Sequence, residues 1–193
     1  MGFLDSLLGR SRTARPAKQD RLFAMTTANV ALAVEHGIET TGKAGIVFQP
    51  QATSDFTRIV TEAEELLRAT GEETGTAVES TEDSYQYRWM VLTDPDVEDL
   101  VVGINAIKDG LDVGGYGDRV LAAVFSFRDS RGGGRPVYFI YNVKRGAWYP
   151  FVPSSGTQQR DTERELQLKA MLGGELPIEP ELERWFPLWG VPL

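Results

Sequence analysis

Hydrophobic residues along this chain follow two spacings, and the switch between them orders the elements. Phe3, Leu4, Leu7 and Leu8 fall at i, i+1, i+4 and i+5, one stripe of a short helix. Positions 21–35 read as a second helix, rich in Ala, with Leu22, Met25, Val30 and Val34 among its apolar positions and Gly37 as its stop. A short strand over 45–48 is cut off by Pro50. Thr53 or Ser54 then caps a helix carrying Phe56, Ile59, Val60, Ala63, Leu66 and Leu67, which the pattern ends at Gly71. The polar stretch 72–83 holds an edge-strand candidate around 76–79. Tyr85, Tyr87, Trp89 and Val91 alternate with Gln86, Arg88, Met90 and Leu92, the period of a strand. Asp94-Pro95 reads as the capped start of the next helix, whose stripe is Val97, Leu100, Val101, Ile104, Ile107 and Leu111.

From Val120 the period becomes two again. Leu121, Ala123, Phe125 and Phe127 make one strand, and Val137, Phe139, Tyr141 and Val143 the next. The intervening 128–135, with Gly132-Gly133-Gly134, is the hairpin loop. Lys144-Arg145-Gly146 turns into a third strand over 147–152. Pro150 and Pro153 cannot donate to a ladder, which assigns that strand to an edge. A helix over 162–172 follows, and then a tail with four prolines and six large apolar side chains. Strands joined by hairpins predict an α+β fold: an antiparallel meander covered by helices on one face. One domain over 21–193 preceded by a basic segment, 1–20, is the expected organisation.

Composition narrows the chemistry. Among 193 residues there is no Cys and one His, so thiolate nucleophiles, disulfides and multi-imidazole sites are excluded. The formal net charge is −8, which argues against nucleic acid as a partner. The charge is uneven, however: Arg10, Arg12, Arg15 and Lys18 precede an acidic body. An apolar stripe followed by a basic run suits weak contact with an anionic membrane surface or an acidic partner, or else a terminus that tucks onto the domain. No segment reaches the roughly 18 apolar residues of a membrane span, and the N-terminus lacks the order of a secretory signal, so a cytoplasmic location is expected. Met1-Gly2 through Ser6 fits the N-myristoylation pattern only formally.

Each chemical motif has a simple structural reading beside it. Gly114-Gly115-Tyr116-Gly117 follows a helix rather than opening one, so it is a helix stop and not a phosphate loop. Gly132-Gly133-Gly134 lacks the Lys-Ser or Lys-Thr of a P-loop, although Arg131 and Arg135 beside it offer a clasp for an acidic partner. Asp94, Asp96, Glu98 and Asp99 suit a helix N-terminus as well as a hard cation. His36 has no Gly-x-Ser-x-Gly elbow to serve. No catalytic, cofactor or metal site is predicted. The rings Trp148, Tyr149 and Phe151 on the last strand, and Trp185, Phe186 and Trp189 in the tail, read either as the seal of the core or as partner anchors.

Three stretches carry a family resemblance. Met1-Gly2-Phe3-Leu4-Asp5-Ser6-Leu7-Leu8-Gly9-Arg10, Lys144-Arg145-Gly146-Ala147-Trp148-Tyr149-Pro150-Phe151 and the ending from Leu176 through Trp185-Phe186-Pro187-Leu188-Trp189-Gly190 resemble the PspAB family. Those are proteins associated with phage shock protein A, and the likeness runs the length of the chain. It implies a cytoplasmic, non-enzymatic accessory of the envelope-stress response. The implied partners are the membrane-associated coiled-coil protein PspA or a PspAA-like protein, and no catalytic residue carries over. The order of helices and strands also resembles type III secretion chaperones, which implies a module that binds a protein segment in an apolar groove. An enzyme acting on a small molecule is the remaining alternative. The residues expected to meet a partner are Phe3, Leu4, Leu7, Leu8, Arg10, Arg12, Arg15 and the six rings named above.

Overall fold

The computed structural model describes residues 18–154 and 158–193. Helix α1 (Lys18–Ala31) continues into one π-helical turn, Leu32–His36, and Gly37 closes it in the left-handed region at φ +65°. The sheet strands are β1 (Ile38–Phe48), β2 (Ala77–Glu82), β3 (Arg88–Thr93), β4 (Val120–Asp129), β5 (Arg135–Asn142) and β6 (Ala147–Phe151). The remaining helices are α2 (Ser54–Thr74), α3 (Val97–Val113) and α4 (Thr162–Leu172). The strands form one antiparallel sheet in the order β2-β3-β1-β4-β5-β6. The fold is therefore α+β, with β1 at the centre and the two short strands β2 and β6 at the edges.

Period-two alternation gives this sheet two apolar faces. One face presents Ile46, Phe48, Met90, Leu92, Phe125, Phe127, Phe139 and Trp148 to Leu22, Met25 and Leu32 of α1 and its π turn, Phe56 and Val60 of α2, and Leu168 and Leu172 of α4. Helix α3 lies across β1 and contacts both α1 and α2. Its predicted stripe, Val97, Leu100, Val101, Ile104, Ile107 and Leu111, is buried throughout. The opposite face carries Val47, Trp89, Val91, Val124, Ile140, Tyr149 and Phe151, and among the described residues no helix covers it. The C-terminal tail does so instead, with Trp185, Leu188, Trp189, Val191 and Leu193.

Several elements differ from their sequence patterns, each for a local reason. Strand β1 begins at Ile38, seven residues before the predicted start, because a bulge absorbs Thr41 and Gly42. There Gly42 takes φ +73°, its N–H donates to Thr40 Oγ1 (3.0 Å), and its carbonyl accepts from Asp94 N (2.9 Å). Helix α2 passes through Gly71 and stops at Gly75, at φ +93°. Gly71 is buried, and a Cβ there would collide with the Thr76 carbonyl. The α3 cap is Asp96, which accepts from Glu98 N (2.8 Å), so Pro95 lies outside the helix; Asp94 braces this start by accepting from Asp96 N (2.8 Å). Of the apolar positions named for the first two described helices, Leu22, Met25, Phe56, Val60 and Leu67 are buried, whereas Val30, Val34 and Leu66 are exposed. Helix α4 has the predicted bounds, and β6 is the predicted edge.

Candidate docking surface

The tail leaves α4 through Gly173-Gly174 and runs back along β6. Trp148 N donates to Pro177 O (3.0 Å) and Glu179 N to Trp148 O (2.8 Å), so the edge strand gains a parallel bridge at Ile178. The exposed edge that Pro150 leaves is thus covered by the chain itself. Beyond Pro180 the tail crosses the helix-free face. Trp185 stacks on Tyr149 at 6.1 Å between centroids, and its indole N–H donates to Glu179 O (3.0 Å). Tyr149 donates its hydroxyl to Phe186 O (3.0 Å), while Trp189 meets the edge of Phe151 at 5.0 Å.

A polar strut locks this arrangement. Glu165 of α4 is buried; its Oε1 accepts from Val152 N (2.9 Å), and its Oε2 pairs with Arg160 at 2.7 Å. Arg160 in turn donates to Trp185 O (2.7 Å). Burial pushes the Glu165 carboxyl above its ordinary value, against the opposing effect of the Arg160 hydrogen bond. Burial likewise raises the Tyr149 hydroxyl, so it stays protonated and keeps donating to the tail. Lys169 lies 5.6 Å over the Trp185 ring and donates to Pro180 O.

The rings predicted as partner anchors therefore separate by position. Trp148, Tyr149, Phe151 and Trp185 are buried, and Trp148 donates its indole N–H to Arg21 O (2.7 Å). Trp189 is half-buried, and Phe186 is 58% exposed. Leu182, one short turn earlier, is 42% exposed, so the outer side of the tail presents an apolar strip rimmed by charged residues. Phe3, Leu4, Leu7, Leu8, Arg10, Arg12 and Arg15 lie outside the described residues. The sequence pattern did not single out a second apolar surface, the groove between α2 and α3. It measures about 220 Å³ and is lined by Leu66, Leu67, Val102, Gly103 and Ala106. The signal was present in the doublets Leu66-Leu67 and Val101-Val102, since only one member of each can face the core.

A family model described as PspA associated protein B matches residues 1–193. The chain belongs to that family. As the family's description says, its members are PspA-associated, which identifies a protein as the partner class. Neither the curated proteins nor the solved structures contain a match to this PspAB member. Among the described residues, no helix is long and apolar enough to cross a membrane, and no group of three or more acidic or His side chains is placed to hold a metal. Of the acids at 94–99, Asp96 serves as cap and Asp94 as brace: Asp94 Oδ2 accepts from Thr76 Oγ1 (2.6 Å), tying the start of β2 to the start of α3.

Proposed function

We propose that this PspAB member is a non-enzymatic adaptor of the envelope-stress response that docks on PspA, or on a protein associated with it, in the cytoplasm at the inner face of the membrane. The match of the PspA-associated family model along the entire chain carries this reading. The exposed ring of Phe186 supports it. A Phe left in solvent while four neighbouring rings are packed away is the kind of anchor that interfaces bury. Phe186 and Trp189 are the anchors assigned to that contact, and the basic, leucine-bearing 1–20 segment is assigned the membrane or an acidic partner surface. Co-purification from stressed cells tests the reading. Tagged full-length chain should retain PspA or a PspAA-like protein, and Phe186→Ala should reduce that retention. Recovery of no phage-shock component, with or without residues 1–20, contradicts the proposal.

The α2–α3 groove favours a second reading, a chaperone-like module that takes one helix of PspA against Leu66 and Val102. Leu66→Ser with Val102→Ser separates the two. Under the first reading it leaves capture of PspA intact, and under the second it abolishes capture while Phe186→Ala does not.

A further inference from the structure

The β4–β5 hairpin is fastened to the end of the π turn. Ser130 donates to Gly37 O through both its N–H (2.9 Å) and its Oγ (2.6 Å), and Arg131 Nη1 donates to Glu35 O (2.7 Å). The Arg131 stem lies flat over Gly37, where a Cβ would stand 2.7 Å from Nε and 2.8 Å from Cγ. His36, the chain's one imidazole, is the last residue of the π turn and lies on the same side. Such turns inside helices recur at functional sites.

Beside this junction is a cavity of about 390 Å³, within the size range of small-ligand pockets, walled by His36, Asp129, Arg131, Arg135 and Arg164. Asp129 is buried and fully used: Oδ1 accepts from Gly132 N (2.7 Å), and Oδ2 accepts from Arg164 Nη2 (2.8 Å) and Nε (3.1 Å). Arg135 reaches Asp161 alone among the described residues, at 3.3 Å through Nη1. Among the described residues, the Nε and Nη2 donors of Arg131 and Arg135 have no protein acceptor. Three guanidiniums thus face two carboxylates before His36 is counted, in a protein whose net charge is −8.

We propose that this cavity binds a phosphate-type oxyanion. Guanidinium forks are matched in shape to phosphate and carboxylate oxygens. One fork satisfies both oxygens of a carboxylate, whereas forks from Arg131 and Arg135 together with the imidazole supply the several donors that a phosphate group accepts. The hydrogen bonds that pin Ser130, Arg131 and Asp129 hold the donors in place before the anion arrives, which lowers the ordering cost of binding. Free phosphate and a phospholipid headgroup share this chemistry.

The test uses the full-length chain with two probes: inorganic phosphate followed by amide NMR, and co-sedimentation with vesicles of phosphatidylglycerol and phosphatidylcholine in equal parts. Phosphate that shifts the His36 and Gly132 signals identifies a free anion. Vesicle binding that loss of both arginines weakens, with silent phosphate spectra, identifies a headgroup in the cavity, since contact through the 1–20 segment would survive that loss. In either case the pair Arg131→Gln and Arg135→Gln should weaken binding roughly tenfold or more, since it removes charge-assisted hydrogen bonds. Both arginines are exposed, so the variant should fold; Arg135→Gln alone serves if its thermal transition is lost. The proposal is overturned if neither probe binds, or if whichever probe binds the wild type binds the variant equally well.

Discussion

Arg160 meets the buried carboxylate of Glu165 at 2.7 Å and passes that anchor on to the tail through its hydrogen bond to the carbonyl of Trp185. One ion pair thereby joins α4, the end of β6 and the C-terminal cover of the sheet. Removing a single member of a buried pair leaves the other charge without compensation. Glu165→Ala should therefore cost about 3–5 kcal/mol in urea unfolding. Glu165→Gln, which keeps an acceptor for Val152 N, should cost less.

The same carboxyl gives a pH signature. Burial raises it above its ordinary value of 4.5, so the folded state holds its proton more tightly than the unfolded chain does. Its contribution to stability is full below that ordinary value and is lost as pH rises through the raised one. The Tm advantage of wild type over Glu165→Gln should shrink as pH rises above that ordinary value. A growing advantage would show that the Arg160 pair outweighs desolvation.

The four tryptophans report on the tail. Trp89, Trp148 and Trp185 are buried, and Trp189 is half-buried. Acrylamide should quench a minor, red-shifted fraction of the fluorescence, and Trp189→Phe should remove that fraction. Trp185→Ala should expose the Tyr149 face and cost about 3–5 kcal/mol by the usual scale for deleting a buried aromatic ring.

Gly37 is required twice, for its left-handed backbone and for the Arg131 stem that lies on it. Gly37→Ala should cost about 1–2 kcal/mol for the backbone alone. It should also loosen the β4–β5 hairpin, seen as faster amide exchange at Ser130. Gly75→Ala, with open space around its Cβ, should show the backbone cost without any change at the hairpin.

Much of this architecture was legible where one face of an element is buried and the other is wet. The α3 stripe, the bounds of α4 and the edge position of β6 all follow from spacing and from proline chemistry. The first half of β1 was not legible, because Glu39, Thr40, Thr41, Gly42 and Lys43 offer no alternation and a bulge interrupts them. Gly71 misled for a different reason: its missing side chain serves a close approach to the Thr76 carbonyl rather than a helix stop. The tail was ambiguous in principle. Rings that pack under a proline-broken segment and rings that await a partner have the same composition, and only the hydrogen bonds of Trp185 and Tyr149 separate Trp185 from Phe186. The hairpin arginines were visible as a pair, but their convergence with His36 and Arg164 required the fold.

The most direct test of the adaptor reading is the affinity of the purified full-length chain for purified PspA, measured by calorimetry beside the Phe186→Ala variant. Phe186 is exposed, so the variant should unfold within about 0.5 kcal/mol of wild type. The account predicts measurable binding that weakens about tenfold or more, since central interface aromatics commonly contribute at least 2 kcal/mol. Binding that Phe186→Ala leaves unchanged, or no binding to PspA or to a PspAA-like protein, would contradict it.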